Sequence, residues 1–467
     1  MPESTLFAGV DVGSSSIKYS VYDTDSSTII SAGRFRYPQG TFSSNSINVG
    51  AIERLFKRTL REISKLGVKT FGLSAMAPVM ILADSSMKVL SAIPYNSLLG
   101  SESISDLDSE EIRKKTYNVP NVQMFHQKIM WLKSNSPRIL SSSRWLLDLN
   151  SYLFVKFAEN TVAPVQDMNT ALEWGLYDPR KKNWIEDVVS SLNIGHLLPD
   201  IVTPEFSVSN NSLNLSIGTV DTIASALGSL GMDQGKIFMS NGSTLCAGFV
   251  SDTVADTDYM YNDLFFEGKF LINGCNSQFS TIIDWAEKNF RRRVNVNDID
   301  LNPRRMIFLP YLEGERCPLF DSRIRGAMID IDKSSTNDDM IAAVVHSLAY
   351  ISVDMIENLK MISDRIFTSI TAGGGLSKRN LASIISALTG LEYNITGFEP
   401  TTIGAILIAM KSNGYLKRYP KDTDKFGLKI ENSIHPDSSF LVHRKNYEKF
   451  KRLRSLLQEY YSMASAN

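Results

Sequence analysis

Cysteine is scarce in this chain: Cys246, Cys275 and Cys317 are the three in 467 residues. They are scattered, with no CxxC pair and no histidine at ligand spacing, so neither a disulfide framework nor a structural zinc is expected. Histidine numbers 5, and the absence of HExxH disfavours a zinc hydrolase. Neither sign of charge is in excess. Lys+Arg is 49 against Asp+Glu 50, a net charge of −1. Nothing global therefore points to nucleic acid or an anionic membrane as partner. No apolar run approaches the ~18 residues needed to span a bilayer. Residues 1–5 (MPEST) lack the basic start and long apolar stretch of a signal peptide. A cytoplasmic address with short tails at both ends is expected. GxxxxGK[ST] is missing, which excludes a P-loop nucleotidase, and no GxGxxG follows a strand, which disfavours a Rossmann site.

What is present is the composition of a folded protein, 43% apolar and 21% charged. At ~100–200 residues per domain the length suggests two or three domains. Residues 5–11 read as a strand, then a small polar turn at 13–16, then a strand over 17–22, which is a β-hairpin pattern. A third strand is expected near 28–37. Ile52, Leu55, Phe56, Leu60 and Ile63 have helical spacing within 49–66. Strands follow at 68–74 and 79–83. Helices are expected at 109–116, 125–134, 145–157 and 184–192. The polar stretch 207–216 (SVSNNSLNLS) reads as an exposed loop.

A helix over 222–230 leads to a second hairpin, with strands at 236–240 and 245–250 around Asn241-Gly242-Ser243-Thr244. It echoes the first hairpin: FAGVDVGSSSIKYSVYD beside IFMSNGSTLCAGFVSD. The repeat implies two related lobes, with a boundary near Gly231. The basic, amphipathic segment 444–463 carries an apolar stripe of Tyr447, Phe450, Leu453, Leu456 and Leu457, as a packed surface helix would.

The two small turns are candidates for anion binding, because free N–H groups in a glycine turn, with neighbouring hydroxyls, suit phosphate oxygens. Each taken alone is equally a plain hairpin turn. As a pair, one per lobe, they could clamp a polyphosphate. Asp11 lies two residues before Gly13, where a carboxylate needs a bridging cation such as Mg²⁺, unless it simply ends a strand. Asp221 opens a helix, which favours the ionised carboxylate and suits either an anionic base or an ordinary first-turn Asp. Gly373-Gly374-Gly375 separates a strand over 366–371 from a helix over 378–389, allowing a flat ligand close to the backbone or merely a tight crossover.

Together these segments resemble the FGGY carbohydrate kinases of the actin–hexokinase–Hsp70 superfamily, most closely the xylulokinase branch. DVGSSSIK at 11–18 resembles the family's D-x-G-[TS]-[ST]-x-x-[KR]. GTVDTIASALG at 218–228 resembles the segment of the catalytic Asp, and NGSTL at 241–245 the second phosphate turn. PYLEGERCP at 310–318 is the most specific match, to Y-L-x-G-E-R-x-P. AGGGLSKRN at 372–380 resembles the adenosine segment, and TIGAILIA at 402–409 the helix after it. KIMWLK at 128–133 is similar to a further family signature.

The resemblance implies an α/β fold of two actin-like (ribonuclease H-like) lobes, each a mixed sheet flanked by helices, with a deep interlobe cleft. Residues 1–231 would form the N-terminal, sugar-binding lobe and 232–467 the C-terminal, nucleotide-binding lobe. It implies ATP as co-substrate, Mg²⁺, and a sugar or polyol as acceptor, and leaves a homodimer open. Asp221 would be the catalytic base and Asp11 the metal residue. Gly13, Ser14, Ser15, Lys18, Gly242, Ser243 and Thr244 would bind phosphates, and Gly374, Gly375 and Asn380 adenosine. Met76, Ala77 and Asn96 would face the acceptor with Asp221, and Asp167 keeps a further substrate-side acid. The Gly314-Glu315-Arg316 turn would support the cleft.

The departures from the family pattern concentrate in the sugar pocket. Ala77-Pro78 stands where the branch has Met-His, and Tyr95-Asn96-Ser97-Leu98-Leu99 replaces W-N-D-x-R. Asp330 ends a pattern that usually closes on glycine, and His346 stands where an acid is common. These changes predict a pocket poor in hydrogen-bonding groups and a weak hold on D-xylulose. A glycerol-type polyol kinase and a catalytically inactive nucleotide-binding regulator remain alternatives.

Overall fold

The computed structural model describes residues 5–106, 109–427 and 429–463; the expected short tails at 1–4 and 464–467 lie outside the described residues. The first lobe is built on β1 (Leu6–Val12), β2 (Ser16–Asp23), β3 (Thr28–Arg36), β4 (Thr70–Ala75), β5 (Ser207–Asn210) and β6 (Leu213–Val220), in the order β5-β6-β4-β1-β2-β3. β2 runs antiparallel to both β1 and β3, while β4 and β6 add parallel to β1. Helix α1 (Val49–Ser64) covers one face with Ile52, Phe56, Leu60 and Ile63, and Asn48 caps it by accepting from the Ala51 amide. A short helix, α2 (Met168–Glu173), packs against the second lobe. Helix α3 (Asp221–Leu230) leaves the end of β6.

The second lobe repeats the plan. Its strands are β7 (Lys236–Asn241), β8 (Leu245–Ser251), β9 (Tyr261–Leu264), β10 (Phe270–Cys275), β11 (Ser369–Gly373), β12 (Glu392–Thr396) and β13 (Ile430–Ile434), ordered β9-β10-β8-β7-β11-β12-β13. β7, β8 and β10 are antiparallel, and β11 and β12 add parallel to β7. The run β10-β8-β7-β11-β12 thus matches β3-β2-β1-β4-β6 in order and direction. Around it lie α4 (Asn337–Met361), α5 (Arg379–Thr389), α6 (Pro400–Ser412) and α7 (Arg444–Met463). α4 is long and apolar enough to cross a membrane, but 89% of that stretch is buried inside the protein, where it forms the core of this lobe. From α7, Tyr447 and Phe450 are buried in the same core, while Leu456 at the other end is 52% exposed.

The lobes share a third apolar cluster, in which Phe7 and Tyr22 meet Leu227, Phe238, Ile406 and Met410. α6 follows β12 in the chain yet lies on the first sheet. The approach is close enough to require glycine: a Cβ on Gly72 would stand 1.8 Å from the Ala405 carbonyl oxygen. α6 also crosses α3, where a Cβ on Gly404 would stand 1.9 Å from the Ala224 oxygen.

Several expectations are corrected. The polar stretch 207–216 is a hairpin, not a loop. Asn211 and Ser212 have φ of +47° and +66°, the two positive values of a type I′ turn, and Leu215 and Ile217 beyond it are fully buried. Residues 145–157 are a short strand, Trp145–Leu147, and then a helix, Leu149–Phe157. Asp148 breaks the run by capping the Leu149 amide and also accepting from Val79 N and Trp174 Nε1. The helix expected over 184–192 shortens to Glu186–Ser191. Cys246 and Cys275 are joined in a disulfide, because the register of β8 and β10 sets them directly opposite.

Candidate active site

A cleft of about 290 Å³ opens between the lobes. From the first lobe, the β1–β2 turn brings Asp11, Gly13, Ser14, Ser15 and Lys18 to it. From the second, the β7–β8 turn brings Asn241, Gly242, Ser243 and Thr244. Each turn closes on itself: Gly13 N donates to Ser16 O at 3.1 Å, and Gly242 N to Thr244 O at 3.0 Å. Those two amides are therefore spent. The amides of Ser14, Ser15, Ser243 and Thr244 have no protein acceptor among the described residues, so they are the donors a phosphate would find.

The glycine turn after β11 is fastened to the β7–β8 turn. Leu376 N donates to Asn241 O, Asn241 Nδ2 donates to Ser377 Oγ and Tyr393 Oη, and Ser377 Oγ donates to Gly373 O. Gly374 and Gly375 line the cleft there.

Asp221 is the first residue of α3, and it faces the cleft with Thr222 Oγ1 3.4 Å from its Oδ1. Burial raises its pKa above the ordinary carboxylate value, against the pull of the Thr222 amide, Lys18 and Arg316. Lys18 Nζ lies 3.6 Å from Asp11 Oδ2 and 3.1 Å from Glu399 Oε1. Burial pushes Asp11 up to about 7, Lys18 opposing and Asp221 and Glu399 reinforcing the shift. Burial works against the Lys18 ammonium too, but Asp11 and Glu399 outweigh it and its pKa rises.

Family models describe two halves of the chain: residues 6–218 match the N-terminal domain of the FGGY family of carbohydrate kinases, and residues 238–412 its C-terminal domain. The chain belongs to the FGGY family of carbohydrate kinases. It is 23% identical to the xylulose kinase of Lactococcus lactis over 99% of this chain and 97% of that protein. A glycerol kinase 2 from Sulfolobus acidocaldarius is 24% identical over 73% of this chain and 72% of its own. Among solved structures, a gluconate kinase and a xylulose kinase, both from Lactobacillus acidophilus, each superpose with a TM-score of 0.86 at 17% identity. They cover 99% and 98% of this chain and 100% and 99% of their own. The fold is thus the two-lobed actin-like one, and the protein is a phosphotransferase that uses ATP on a carbohydrate acceptor.

Within this kinase, Met76 and Ala77 line the cleft, and three other expected residues do not. Asn96 is exposed at the surface beside Tyr95, which lines the cleft in its place. Asn380 Nδ2 is spent on the carbonyls of Val296, Asn297 and Ile299, which anchor the neighbouring loop. Asp167 is fully buried, capping α2 at Thr170 N and accepting from Asn150 and Gln166. Ser97, the substitute for an acid, bonds Asn45 at 2.7 Å, and Leu99 packs into apolar core.

The rest of the cleft is nevertheless polar, against the expectation of few hydrogen-bonding groups. Asn118, Asn121, Gln123, Glu173, Tyr261, Asp263, Asn273 and Arg316 line the cleft. Lys128, fully buried, holds two of these segments by donating to Tyr95 O and Gln123 O, and burial lowers its pKa to about 7. Arg316 lies over the Tyr95 ring at 5.6 Å, joining the lobes by a cation–π contact, and donates to Asn276 O. Its neighbour Glu315, raised to about 7 by burial, accepts from Ser277 N and so braces the same loop. Asp330, at the position expected to be glycine, has a positive φ of +67°. His346 is buried and bonds the Asp300 carbonyl.

Proposed function

We propose that this kinase transfers the γ-phosphoryl group of ATP to a hydroxyl of a sugar or polyol, a ketose of the D-xylulose kind being the first acceptor to test, with Asp221 as general base. The observation that carries the reading is the position of Asp221 on the same cleft as two matched turns, one from each lobe. Phosphoryl transfer asks a protein mainly for positioning and charge stabilisation. The free amides and hydroxyls at Ser14, Ser15, Ser243 and Thr244 would hold the phosphates, and Lys18 would neutralise charge between the lobes. Gly374 and Gly375 would let the nucleoside lie against backbone.

Mg²⁺ fits the donor set. Asp11 Oδ1 is a buried carboxylate oxygen with no partner, and no group of three or more metal-binding side chains occurs among the described residues. Mg²⁺ is commonly held by one or two carboxylates together with phosphates and water. When bound it would neutralise phosphate charge, and Asp11 would supply the protein's oxygen to it. Asp221 would accept the acceptor's proton as the new O–P bond forms. Lobe closure would keep water from the phosphoryl group. The reading includes a cytoplasmic enzyme acting without nucleic acid or membrane.

The test is Asp221→Asn in an ADP-release assay over ketoses, polyols including glycerol, and aldoses. Sugar-dependent turnover should fall roughly 10²–10⁴-fold while calorimetric ATP affinity holds. Near-wild-type turnover in the variant would end the assignment, and no sugar-dependent turnover in the wild type would favour a non-catalytic role.

A further inference from the structure

The acceptor end of the cleft contains two carboxylates that no sequence motif announced. Glu173 is the last residue of α2, in the first lobe. Asp263 sits on β9, in the second. The two elements pack against each other, and both side chains line the cleft beside Asp221. Asp263 is 5% exposed. One of its oxygens accepts from Asn273 Nδ2 at 2.6 Å, and the other has no partner. The Glu173 carboxylate, partly buried, makes no hydrogen bond to protein, and neither acid is ion-paired among the described residues. The Tyr261 hydroxyl, on the same strand as Asp263, is also buried without a partner.

Buried polar atoms are nearly always satisfied. The Tyr261 hydroxyl breaks that rule, and the untaken carboxylate oxygens of Glu173 and Asp263 line the same cleft, so a ligand that satisfies all three is the one the cleft suits. Carboxylates and a phenol match hydroxyl groups. They do not match a carboxylate or a phosphate, which would enter against Asp221 and the acid pair. The lysine nearest the reacting centre, Lys18, is already shared between Asp11 and Glu399. Arg316 is stacked on Tyr95 and bonded to Asn276 O. Burial raises the pKa of both acids; the charge of Asp263 adds to the rise at Glu173, and the Asn273 hydrogen bond opposes it at Asp263, which helps the pair keep a proton to donate as well as oxygens that accept.

We propose that Glu173 and Asp263, one from each lobe, are specificity residues that select an uncharged polyhydroxy acceptor by hydrogen-bonding its hydroxyls and exclude aldonate-type anions. Because both lobes contribute, the acceptor itself would tie the closed cleft together. The proposal rests on the reading of the cleft as a sugar kinase site.

The experiment measures kcat and KM by ADP release for the wild type, Glu173→Gln, Asp263→Asn and the double variant. D-Xylulose, D-ribulose, glycerol and xylitol serve as neutral acceptors and D-gluconate as the anionic one. The wild type should favour its best neutral acceptor over D-gluconate by at least 100-fold in kcat/KM. Each single variant should raise KM for that acceptor about tenfold with kcat changed less than threefold. The double variant should narrow the preference over D-gluconate at least tenfold. Unchanged ATP affinity by calorimetry confirms that the variants are folded. Wild-type turnover of D-gluconate rivalling the neutral acceptors, or variants whose KM and preference match the wild type, would overturn the proposal while leaving Asp221 and the kinase reading intact. Loss of the kinase reading shows separately, as an Asp221→Asn protein that still turns over.

Discussion

Replacing Gly374 by alanine adds one methyl group at the joint between the glycine turn and the second phosphate turn. Gly374 has φ +99°, a region L-residues occupy at a cost of about 1–3 kcal/mol. The new Cβ would also stand 2.6 Å from the Asn241 carbonyl oxygen, 2.7 Å from its carbon and 3.0 Å from its nitrogen. These are backbone atoms held by the hydrogen bonds of Asn241, so they cannot swing aside as a flexible side chain would. Overpacking of this kind costs about 1–3 kcal/mol, and the two effects together make about 2–6 kcal/mol. Some of that strain should move Asn241 and the turn it begins, so ATP binding should suffer with stability. Gly375 is the control next door: it lines the same cleft, its φ is not in the positive region, and an added Cβ meets nothing within 4 Å. Urea unfolding and calorimetric ATP titration of Gly374→Ala and Gly375→Ala form the assay. Gly374→Ala should lose stability in the stated range and bind ATP at least tenfold more weakly, with Gly375→Ala within about 1 kcal/mol of wild type in stability. Equal behaviour of the two variants in both measurements would refute the argument that this backbone contact positions the phosphate turn.

Gly242→Val should separate nucleotide binding from folding: a Cβ there meets only Thr244 O, at 3.7 Å, so the fold should survive while the branched side chain crowds the phosphate and ATP affinity falls, and unchanged affinity by calorimetry would remove this turn from the site. Asp11→Asn should alter the pH dependence of stability. The native Asp11 carboxyl holds its proton to about pH 7 because it is buried, whereas an unfolded Asp releases it near ~4, so wild-type stability from this group is present at low pH and is lost as pH rises through 7. The unfolding free energy of Asp11→Asn relative to wild type, from urea titrations without nucleotide or metal, should therefore climb between pH 5 and pH 8 by an amount on the order of 2–4 kcal/mol; a constant difference would mean that Asp11 is not held protonated.

Much of the cleft's turn-built side was legible because glycine turns are local. Glycine and hydroxyl residues a few positions apart, after an apolar strand, carry their geometry with them, and Gly13, Lys18, Gly242 and Gly374 all line the cleft. The repeated hairpin likewise announced two sheets of common plan. The two facing acids were not legible, since Glu173 and Asp263 come from different lobes and neither lies in a motif; what marks them is a shared cleft and carboxylate oxygens that no protein group takes up, visible only in three dimensions. The disulfide was missed for a similar reason. Cys246 and Cys275 are 29 residues apart, and only the register of β8 against β10 brings them together. Residues 207–216 misled because their polar residues are those of a tight turn and an edge strand, while Leu215, the buried apolar member, sits between polar neighbours. Asn380 and Asp167 fit the family pattern by position, but backbone carbonyls claim the first, and the Thr170 amide with Asn150 and Gln166 claims the second.

The placement of α6 bears on how the protein is made. The ribosome releases the first sheet early, yet the helix that must lie against Gly9 and Gly72 is encoded by residues 400–412. During synthesis the first lobe therefore waits with one face of its sheet uncovered until nearly the whole chain has emerged. Such a waiting intermediate exposes apolar surface that can aggregate or recruit a chaperone. A gene split after Gly231 would make that state permanent, and its two products would become soluble only when made together, each completing the other.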